Sequence, residues 1–90
     1  MANSKEFLLA ADIVKNLKSK PQDEELLILY GLYKQATVGD NNNEAPGFLD
    51  FKGKEKHKAW LQNKGMESYD SEVKYITKVN ELITKYGVNQ

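Results

Sequence analysis

Four residues that interrupt helices divide this chain into four helix-forming segments. Pro21 disfavours helical geometry in the residue before it, and Gly39, Gly65 and Gly87 each stand where a helix would end. The segments between them are rich in good helix formers, and none carries a convincing strand pattern. We therefore expect an all-α domain of four helices.

The first two helices have recognisable start signals. Helix one is expected over Ser4 to Lys18, with Asn3 as its N-cap and Glu6 completing a capping box. Helix two is expected to begin at Pro21, whose fixed φ suits a first turn, and to end before the C′ glycine that follows it. Gly31 costs about 1 kcal/mol relative to alanine inside that helix.

A long connection and two further helices complete the pattern. The stretch Asp40 to Gly53 is rich in turn residues and predicts an ordered loop. Its apolar residues are expected to anchor it: Phe48, Leu49, Phe51. Lysines alternate between 52 and 58 as in a strand, but the intervening residues are poor strand formers, so a short helix from Lys52 to Lys64 is favoured. Helix four is expected from Ser68 to Tyr86.

Composition excludes several classes of function. The 90 residues predict one domain spanning 1–90, and the absence of cysteine excludes disulfide scaffolds, cysteine nucleophiles and cysteine-based zinc sites. His57 is the only histidine, and nothing in the spacing brings it to Ser68 or Ser71 for catalysis. We therefore expect no catalytic residue and no metal site.

Charge and hydropathy restrict the partners. Lysine supplies all 13 basic residues against 13 acidic ones, and this balance disfavours a dedicated nucleic-acid reader. No uncharged stretch approaches the ~20 residues of a membrane span, and no signal peptide is evident. We expect a cytoplasmic protein with no membrane insertion and no nucleic-acid partner.

Two clusters are candidates for binding an anion. The segment 52–64 holds five lysines and one glutamate, and Lys52 and Lys56 can converge on phosphate groups because they are four residues apart on a helix. Tyr30, Tyr33 and Lys34 are neighbours on helix two and would offer a nucleotide a stacking surface beside a cation. A solvated lysine face and tyrosines packed in the core are the structural alternatives, and the spacing alone leaves them open.

Longer motifs carry a family resemblance. The chain reads YGLYKQATVGD from Tyr30 to Asp40, then Pro46-Gly47, then DFKGK from Asp50 to Lys54, and later Ala59-Trp60 and Lys64-Gly65. It closely resembles the acyl-CoA-binding proteins. The resemblance extends over nearly the whole chain through further matches: Phe7, Ala10, Ala11, Lys15, the segment KPQDEELL from Lys20 to Leu27, Tyr75, Ile76 and Val79.

This resemblance implies a four-helix bundle of the acyl-CoA-binding protein type, with a long loop between helices two and three. It implies non-enzymatic binding, buffering and transport of medium- to long-chain fatty acyl-CoA thioesters, with no cofactor besides that ligand. The expected protein is a monomer that transiently contacts acyl-CoA-using enzymes. Free coenzyme A would then bind more weakly than its acyl thioesters, because burial of the tail supplies most of the affinity.

The resemblance also implies roles for individual residues. Lysines would surround the phosphates, with the ribose 3′-phosphate near Lys34 and Lys56, and tyrosines would contact the nucleotide. The implied ligand-binding residues are Lys15, Tyr30, Gly31, Leu32, Tyr33, Lys34, Lys52, Lys56 and Tyr75. The acyl chain would be bordered by Phe7, Ala10, Ala11 and Leu27. The chain departs from the family at two places. His57 stands where tryptophan is usual, which predicts an altered acyl-chain preference. At Glu67-Ser68 the serine usually comes one residue earlier, which predicts an altered helix stability.

Overall fold

The computed structural model of the protein describes residues 3–89 and confirms the all-α class. The four helices are α1 (Lys5–Ile13), α2 (Asp23–Thr37), α3 (Phe51–Leu61) and α4 (Ser68–Tyr86), and a 3₁₀ turn, Val14–Asn16, follows α1. Within the described residues the only strand-like pairing is one isolated bridge between Leu17 and Val88.

Helices α2 and α3 run in the same direction. Lys56 lies over the Tyr30 ring, and one turn further along both helices Lys34 lies over the Trp60 ring. Two consecutive parallel helices need a connection that returns along the whole length of a helix. The long loop between α2 and α3 is therefore a consequence of the topology.

Helices α1 and α4 run opposite to that pair. The Ser68 hydroxyl at the start of α4 donates to the Ala36 carbonyl near the end of α2, while Lys85 at the end of α4 pairs with Glu25 at the start of α2. The N-terminal residues approach α4 near its beginning, where the Asn3 amide donates to the Glu72 carboxylate. Helix α3 packs against α2 and against no other helix of residues 3–89.

The core lies among α1, α2 and α4. Apolar side chains at helix spacing on these three helices bury one another. Helix α3 adds a single buried side chain, that of Trp60. The buried core residues are Phe7, Ala10, Leu29, Leu32, Ala36, Tyr75, Val79 and Leu82. One side of the molecule is thus a packed three-helix core, and α3 is attached to it through α2.

The start and the end of α1 differ from the prediction. Ser4, not Asn3, is the N-cap, and its side chain accepts a hydrogen bond from the Phe7 N–H. Asn3 instead uses its amide to reach a carbonyl and a carboxylate of other helices, so the capping box with Glu6 was wrong. The helix stops at Ile13 instead of reaching Lys18, because the chain there extends to pair with residues 87–89.

Helix α2 starts two residues later than expected. Gln22 is its N-cap in a capping box with Glu25, and Pro21 lies buried just outside the helix, so the prediction that Pro21 occupies the first turn was wrong. Whether the helix starts at Pro21 or at Asp23, the N–H groups of residues 23 and 24 have no partner within the helix. The capping box determines the start because it satisfies two backbone donors. Gly39 follows the C-cap with φ of 99°, as predicted.

The loop and α3 differ most from the structure that the sequence predicted. Phe48, Leu49 and Phe51 were expected to anchor the loop, but they are 75%, 72% and 70% exposed. The buried loop residue is Asn41, whose amide donates to the His57 carbonyl. The reason is that a side-chain amide can satisfy backbone groups at the α2–α3 seam, whereas a phenyl ring cannot.

The bounds of α3 are also displaced. The Asp50 carboxylate accepts the Gly53 N–H at 3.0 Å and caps the helix, so α3 begins at Phe51 and not at Lys52. It ends at Leu61 and continues as turns to Gly65, whose φ is 86°, whereas the sequence predicted helix as far as Lys64.

Helix α4 has the predicted bounds. It covers Ser68–Tyr86 and ends at Gly87, whose φ is 75°. Glu67 is the N-cap residue, and its side chain makes no capping hydrogen bond. The expectation that this cap alters helix stability remains a prediction.

Candidate functional site

A cleft of about 530 Å³ opens between the residues after α1, the first half of α2 and the middle of α4. We call it the front cleft. Its apolar lining is Val14, Leu17, Pro21, Leu26 and Leu29, and its polar lining is Lys15, Ser19, Lys20, Tyr30, Tyr33 and Tyr75. The fold thus brings together Lys15, Tyr30, Tyr33 and Tyr75, which are far apart in sequence. No carboxylate of residues 3–89 lines the front cleft.

A smaller recess of about 190 Å³ lies beside the front cleft, between α2 and α3. It shares Lys20, Leu26 and Tyr30 with the cleft. It adds Leu27, Lys52 and Lys56 from the predicted set, together with the acidic side chains of Asp23 and Glu55. The cleft and the recess therefore form one concave surface that offers an apolar wall at one end and lysines at the other.

Two cation–π contacts cross the seam between α2 and α3. The ammonium of Lys56 lies 5.5 Å from the centre of the Tyr30 ring, and that of Lys34 lies 4.9 Å from the centre of the Trp60 ring. The Trp60 indole N–H donates to the Gly39 carbonyl at 2.7 Å and fixes the ring. Each ammonium keeps its hydrogen-bond donors free for an anion while its charge rests on an aromatic face.

Three aromatic rings form the junction of α1, α2 and α4. Phe7 is fully buried; its ring stacks on Tyr33 at 5.5 Å and meets Tyr75 edge-on at 5.0 Å. Tyr75 is 4% exposed, and burial, together with the nearby phenol of Tyr33, raises its pKa to about 12. The Tyr75 hydroxyl is consequently a neutral hydrogen-bond donor at any physiological pH.

Three carboxylates of the bundle are engaged by structural hydrogen bonds: Glu25, Asp40 and Glu72. Hydrogen bonds from Tyr86, the Gln22 N–H and Lys85 lower the pKa of Glu25 to about 2. Hydrogen bonds from the Gly65 N–H and Gln35 lower the pKa of Asp40.

Glu72 is held in the same way on the other side of the core. Burial raises the pKa of Glu72, but hydrogen bonds from Asn3 and Ser4 outweigh it and leave that pKa below its ordinary value. The four predicted lysines, in contrast, form no ion pair with any carboxylate of residues 3–89: Lys15, Lys34, Lys52, Lys56. Their charges remain available to a ligand.

Some predicted residues do not reach the cleft surface. Gly31 and Leu32 are buried in α2; a Cβ on Gly31 would lie 2.5 Å from the Ala59 carbonyl oxygen, so this glycine permits the close approach of α3. Phe7 and Ala10 are buried in the core, and Ala11 packs against it. Only Leu27 of the predicted acyl border lines the recess.

Sequence reasoning missed seven cleft residues: Val14, Leu17, Ser19, Lys20, Pro21, Leu26 and Leu29. For Leu26 a signal existed, since it shares the helix face of Tyr30 and Tyr33. For Leu17 and Ser19 no local pattern exists, because the chain there is held by the bridge to Val88.

No catalytic or metal-binding arrangement is found among residues 3–89. The His57 imidazole lies 3.0 Å from the Asn43 carbonyl oxygen, and the hydroxyls of Ser68 and Ser71 donate to backbone carbonyls. In the described part of the chain no group of three or more His, Asp or Glu side chains is placed to hold a metal ion. None of its helices is long and apolar enough to cross a bilayer.

Comparison with known proteins identifies the family. The family model described as acyl CoA binding protein matches residues 4–79. The chain belongs to the acyl-CoA-binding protein family. It is 51% identical over 78 residues to acyl-CoA-binding protein homolog 1 of Caenorhabditis elegans, a match that covers 87% of this chain and 91% of the relative.

Solved structures of the family share the fold. The crystal structure of Oryza sativa acyl-CoA-binding protein 2 superposes with a TM-score of 0.85 at 38% identity, over 90% of each chain. The solution structure of acyl coenzyme A binding protein from yeast gives 0.75 at 47% identity, over 94% of this chain and 99% of the other. The predicted family and bundle architecture are thereby confirmed.

Proposed function

We propose that this protein binds medium- to long-chain fatty acyl-CoA thioesters without converting them, and buffers and carries them inside the cell. The observation that carries the proposal is the front cleft in a member of this family: three tyrosines and two lysines around an apolar wall, with no carboxylate of residues 3–89 in the lining. The whole chain, 1–90, acts as one domain in this proposal.

The head of the ligand lies at the α2–α3 seam. Lys34 and Lys56 contact the ribose 3′-phosphate, and Lys15 and Lys52 approach the remaining phosphates. Their positions support this assignment, because Lys34 and Lys56 rest on neighbouring aromatic faces and Lys52 and Lys56 line the same recess. A phosphate accepts charge-assisted hydrogen bonds, each contributing about 1.5–3 kcal/mol.

The nucleotide and the bend of the ligand contact the tyrosines. Tyr30 and Tyr33 are only partly covered by the fold and offer ring surface in the cleft, and the Tyr75 hydroxyl donates a hydrogen bond. In this assignment Gly31 and Leu32 act from behind the cleft wall, by fixing how closely α3 approaches α2.

The acyl tail lies along the apolar lining. Burial of about ten methylene groups at ~0.8 kcal/mol each releases about 8 kcal/mol before the costs of association. Leu27 is placed to border the tail directly. Phe7, Ala10 and Ala11 are assigned to the same border, where Phe7 supports Tyr33 and Tyr75 from the core.

The proposal extends to the cellular setting. A monomer in the cytoplasm would release its ligand to acyl-CoA-using enzymes through transient contacts. It needs no cofactor and no metal, and it has no role in binding nucleic acid.

Titration calorimetry tests the proposal with three ligands: palmitoyl-CoA, free coenzyme A and palmitate. We expect palmitoyl-CoA to bind at least a hundredfold more tightly than coenzyme A, because the tail supplies most of the favourable free energy. Equal affinities for palmitoyl-CoA and coenzyme A would contradict the proposal. A thiol assay after long incubation is expected to detect no free coenzyme A, and its release would show an enzyme instead of a carrier.

A further inference from the structure

One wall of the front cleft is formed by residues 17–22, which connect the 3₁₀ turn to α2 and belong to no helix. We call them the wall segment. Backbone groups outside a helix need other partners if the position of the chain is to be fixed. The shape of the cleft on this side therefore depends on what holds the wall segment. Four of its residues line the cleft: Leu17, Ser19, Lys20 and Pro21.

The start of the wall segment is held by residues 87–89, which follow α4 and which we call the clasp. The Lys18 N–H donates to the Gly87 carbonyl at 2.9 Å, and the Asn89 N–H donates to the Asn16 carbonyl at 2.8 Å. Together they form one antiparallel bridge between the two stretches of chain. The contact is close, because a Cβ on Gly87 would lie 3.2 Å from the Lys18 side chain.

The other end of the wall segment is held by the last turn of α4. The Glu25 carboxylate accepts the Gln22 N–H at 2.9 Å, where α2 begins. The same carboxylate accepts hydrogen bonds from the Tyr86 hydroxyl and the Lys85 ammonium. Residues 85–89 thus fix both ends of the wall segment, although none of them lines the front cleft.

We propose that the clasp positions the wall segment against the acyl tail, and thereby sets how strongly the protein prefers long acyl chains. This inference rests on the proposed function, in which the tail lies along the apolar lining of the front cleft. Release of the clasp would let the wall segment move outward, and the tail would then bury less apolar area. Lys34 and Lys56 lie at the α2–α3 seam, whereas the clasp bonds to the residues after α1. Release should therefore weaken binding of the tail and spare binding of the head.

Titration calorimetry with palmitoyl-CoA and with free coenzyme A separates this positioning role from a merely structural one. Asn89→Pro removes one N–H donor of the clasp, and the matched control Asn89→Ala keeps it. A third variant ends at Tyr86 and lacks the whole clasp. We expect palmitoyl-CoA to bind about threefold more weakly to Asn89→Pro and about tenfold more weakly to the chain ending at Tyr86. Coenzyme A should stay within about twofold of its wild-type affinity throughout, and Asn89→Ala should match the wild type with both ligands.

Amide hydrogen exchange of the ligand-free protein gives a second reading. The Lys18 amide should exchange at least about tenfold faster in the chain ending at Tyr86, while the Lys54 amide, bonded to the Asp50 carbonyl, should keep its wild-type rate. The proposal is overturned if Lys18 exchange is unchanged, if both ligands lose affinity by the same factor, or if Asn89→Ala and Asn89→Pro behave alike. Failure of the proposed function is distinguished from these results, because the wild type itself would then bind palmitoyl-CoA and coenzyme A equally.

Discussion

Two grooves of similar volume lie on different faces of α2. The front cleft measures about 530 Å³, and a rear groove between α2, α3 and the first half of α4 measures about 480 Å³. The rear groove also has an apolar wall, formed by Leu27, Ile28, Leu32 and Met66. Volume and apolar lining therefore do not distinguish them.

The charged and aromatic residues in their linings do distinguish the two grooves. The front cleft combines three tyrosines with two lysines, and no acidic residue in the described part of the chain lines it. The rear groove is lined by two lysines, Lys58 and Lys74, and two acids, Glu24 and Glu55, and no aromatic residue among 3–89 lines it. An acyl nucleotide is matched better by the front cleft, because its tyrosines offer ring faces beside an apolar wall. Carboxylates alone do not separate the two sides, because Asp23 and Glu55 also line the recess beside the front cleft.

The largest expected effect on ligand affinity comes from comparing two pairs of lysines, one at the α2–α3 seam and one in the rear groove. Lys34→Ala combined with Lys56→Ala should weaken palmitoyl-CoA binding by about 2–4 kcal/mol, because two charge-assisted phosphate contacts are lost. Lys58→Ala combined with Lys74→Ala makes the same change of net charge in the rear groove and should alter the affinity by less than about 0.5 kcal/mol. Calorimetry measures both. Equal losses would mean that only the overall charge matters, and a larger loss in the rear pair would reverse the assignment.

A second substitution tests whether Gly31 allows α3 to pack closely against α2. Gly31→Ala should lower the free energy of unfolding by about 1–3 kcal/mol, because the new methyl group overlaps the Ala59 carbonyl and forces α3 away. Urea unfolding gives the value. The control is Gly47→Ala, where a Cβ has nothing within 4 Å, and its effect should stay within about 0.5 kcal/mol. An unchanged stability in Gly31→Ala would show that α3 is not held by this contact.

A third prediction concerns Glu25, whose carboxylate accepts hydrogen bonds from Tyr86, the Gln22 N–H and Lys85. Because the pKa of Glu25 is lowered from 4.5 to about 2, its carboxylate stabilises the fold above pH 4.5, and this contribution disappears as the pH falls toward 2. Wild type should thus be more stable than Glu25→Gln near neutral pH, and the difference should shrink toward pH 2. Urea unfolding over that pH range measures it, with the exposed Glu24→Gln as the control. A difference that does not depend on pH would rule out this origin.

The smallest expected effect lies at His57, which lines a small pocket together with Tyr30, Lys56 and Trp60. His57 is half-buried and its imidazole contacts the Asn43 carbonyl, so His57→Trp keeps an N–H donor and adds apolar area. We expect the affinity for palmitoyl-CoA to change by less than about 1 kcal/mol, with a shift in the preferred acyl length. Calorimetry across acyl lengths measures both. A change of tenfold or more for every length would place residue 57 in direct contact with the head of the ligand.

Features encoded by local periodicity were predictable from the sequence. The bounds of α4 follow from its apolar repeat and from Gly87, and the neighbourhood of Tyr30, Tyr33 and Lys34 follows from helix geometry. The family resemblance, rather than spacing, assigned Lys15 and Tyr75 to the same site. Only the bundle topology joins residues so distant in sequence.

Features decided by distant partners were not predictable. Asn3 has the chemistry of an N-cap, but the Ala36 carbonyl and Glu72 compete for its amide. From the sequence, Gly31 was expected only to destabilise α2. The structure shows why a glycine is required there, because the Ala59 backbone packs directly against it. The exposure of Phe48 could not be foreseen, since hydrophobicity favours burial without specifying whether a neighbouring element leaves room.

Mapping of backbone amide chemical shifts during a titration with palmitoyl-CoA tests the choice between the two grooves most directly. We predict the largest shifts at Lys15, Tyr30, Tyr33, Lys56 and Tyr75, with small ones at Ile28, Gln62 and Met66 in the rear groove. Shifts concentrated in the rear groove, with the front residues unmoved, would contradict the account.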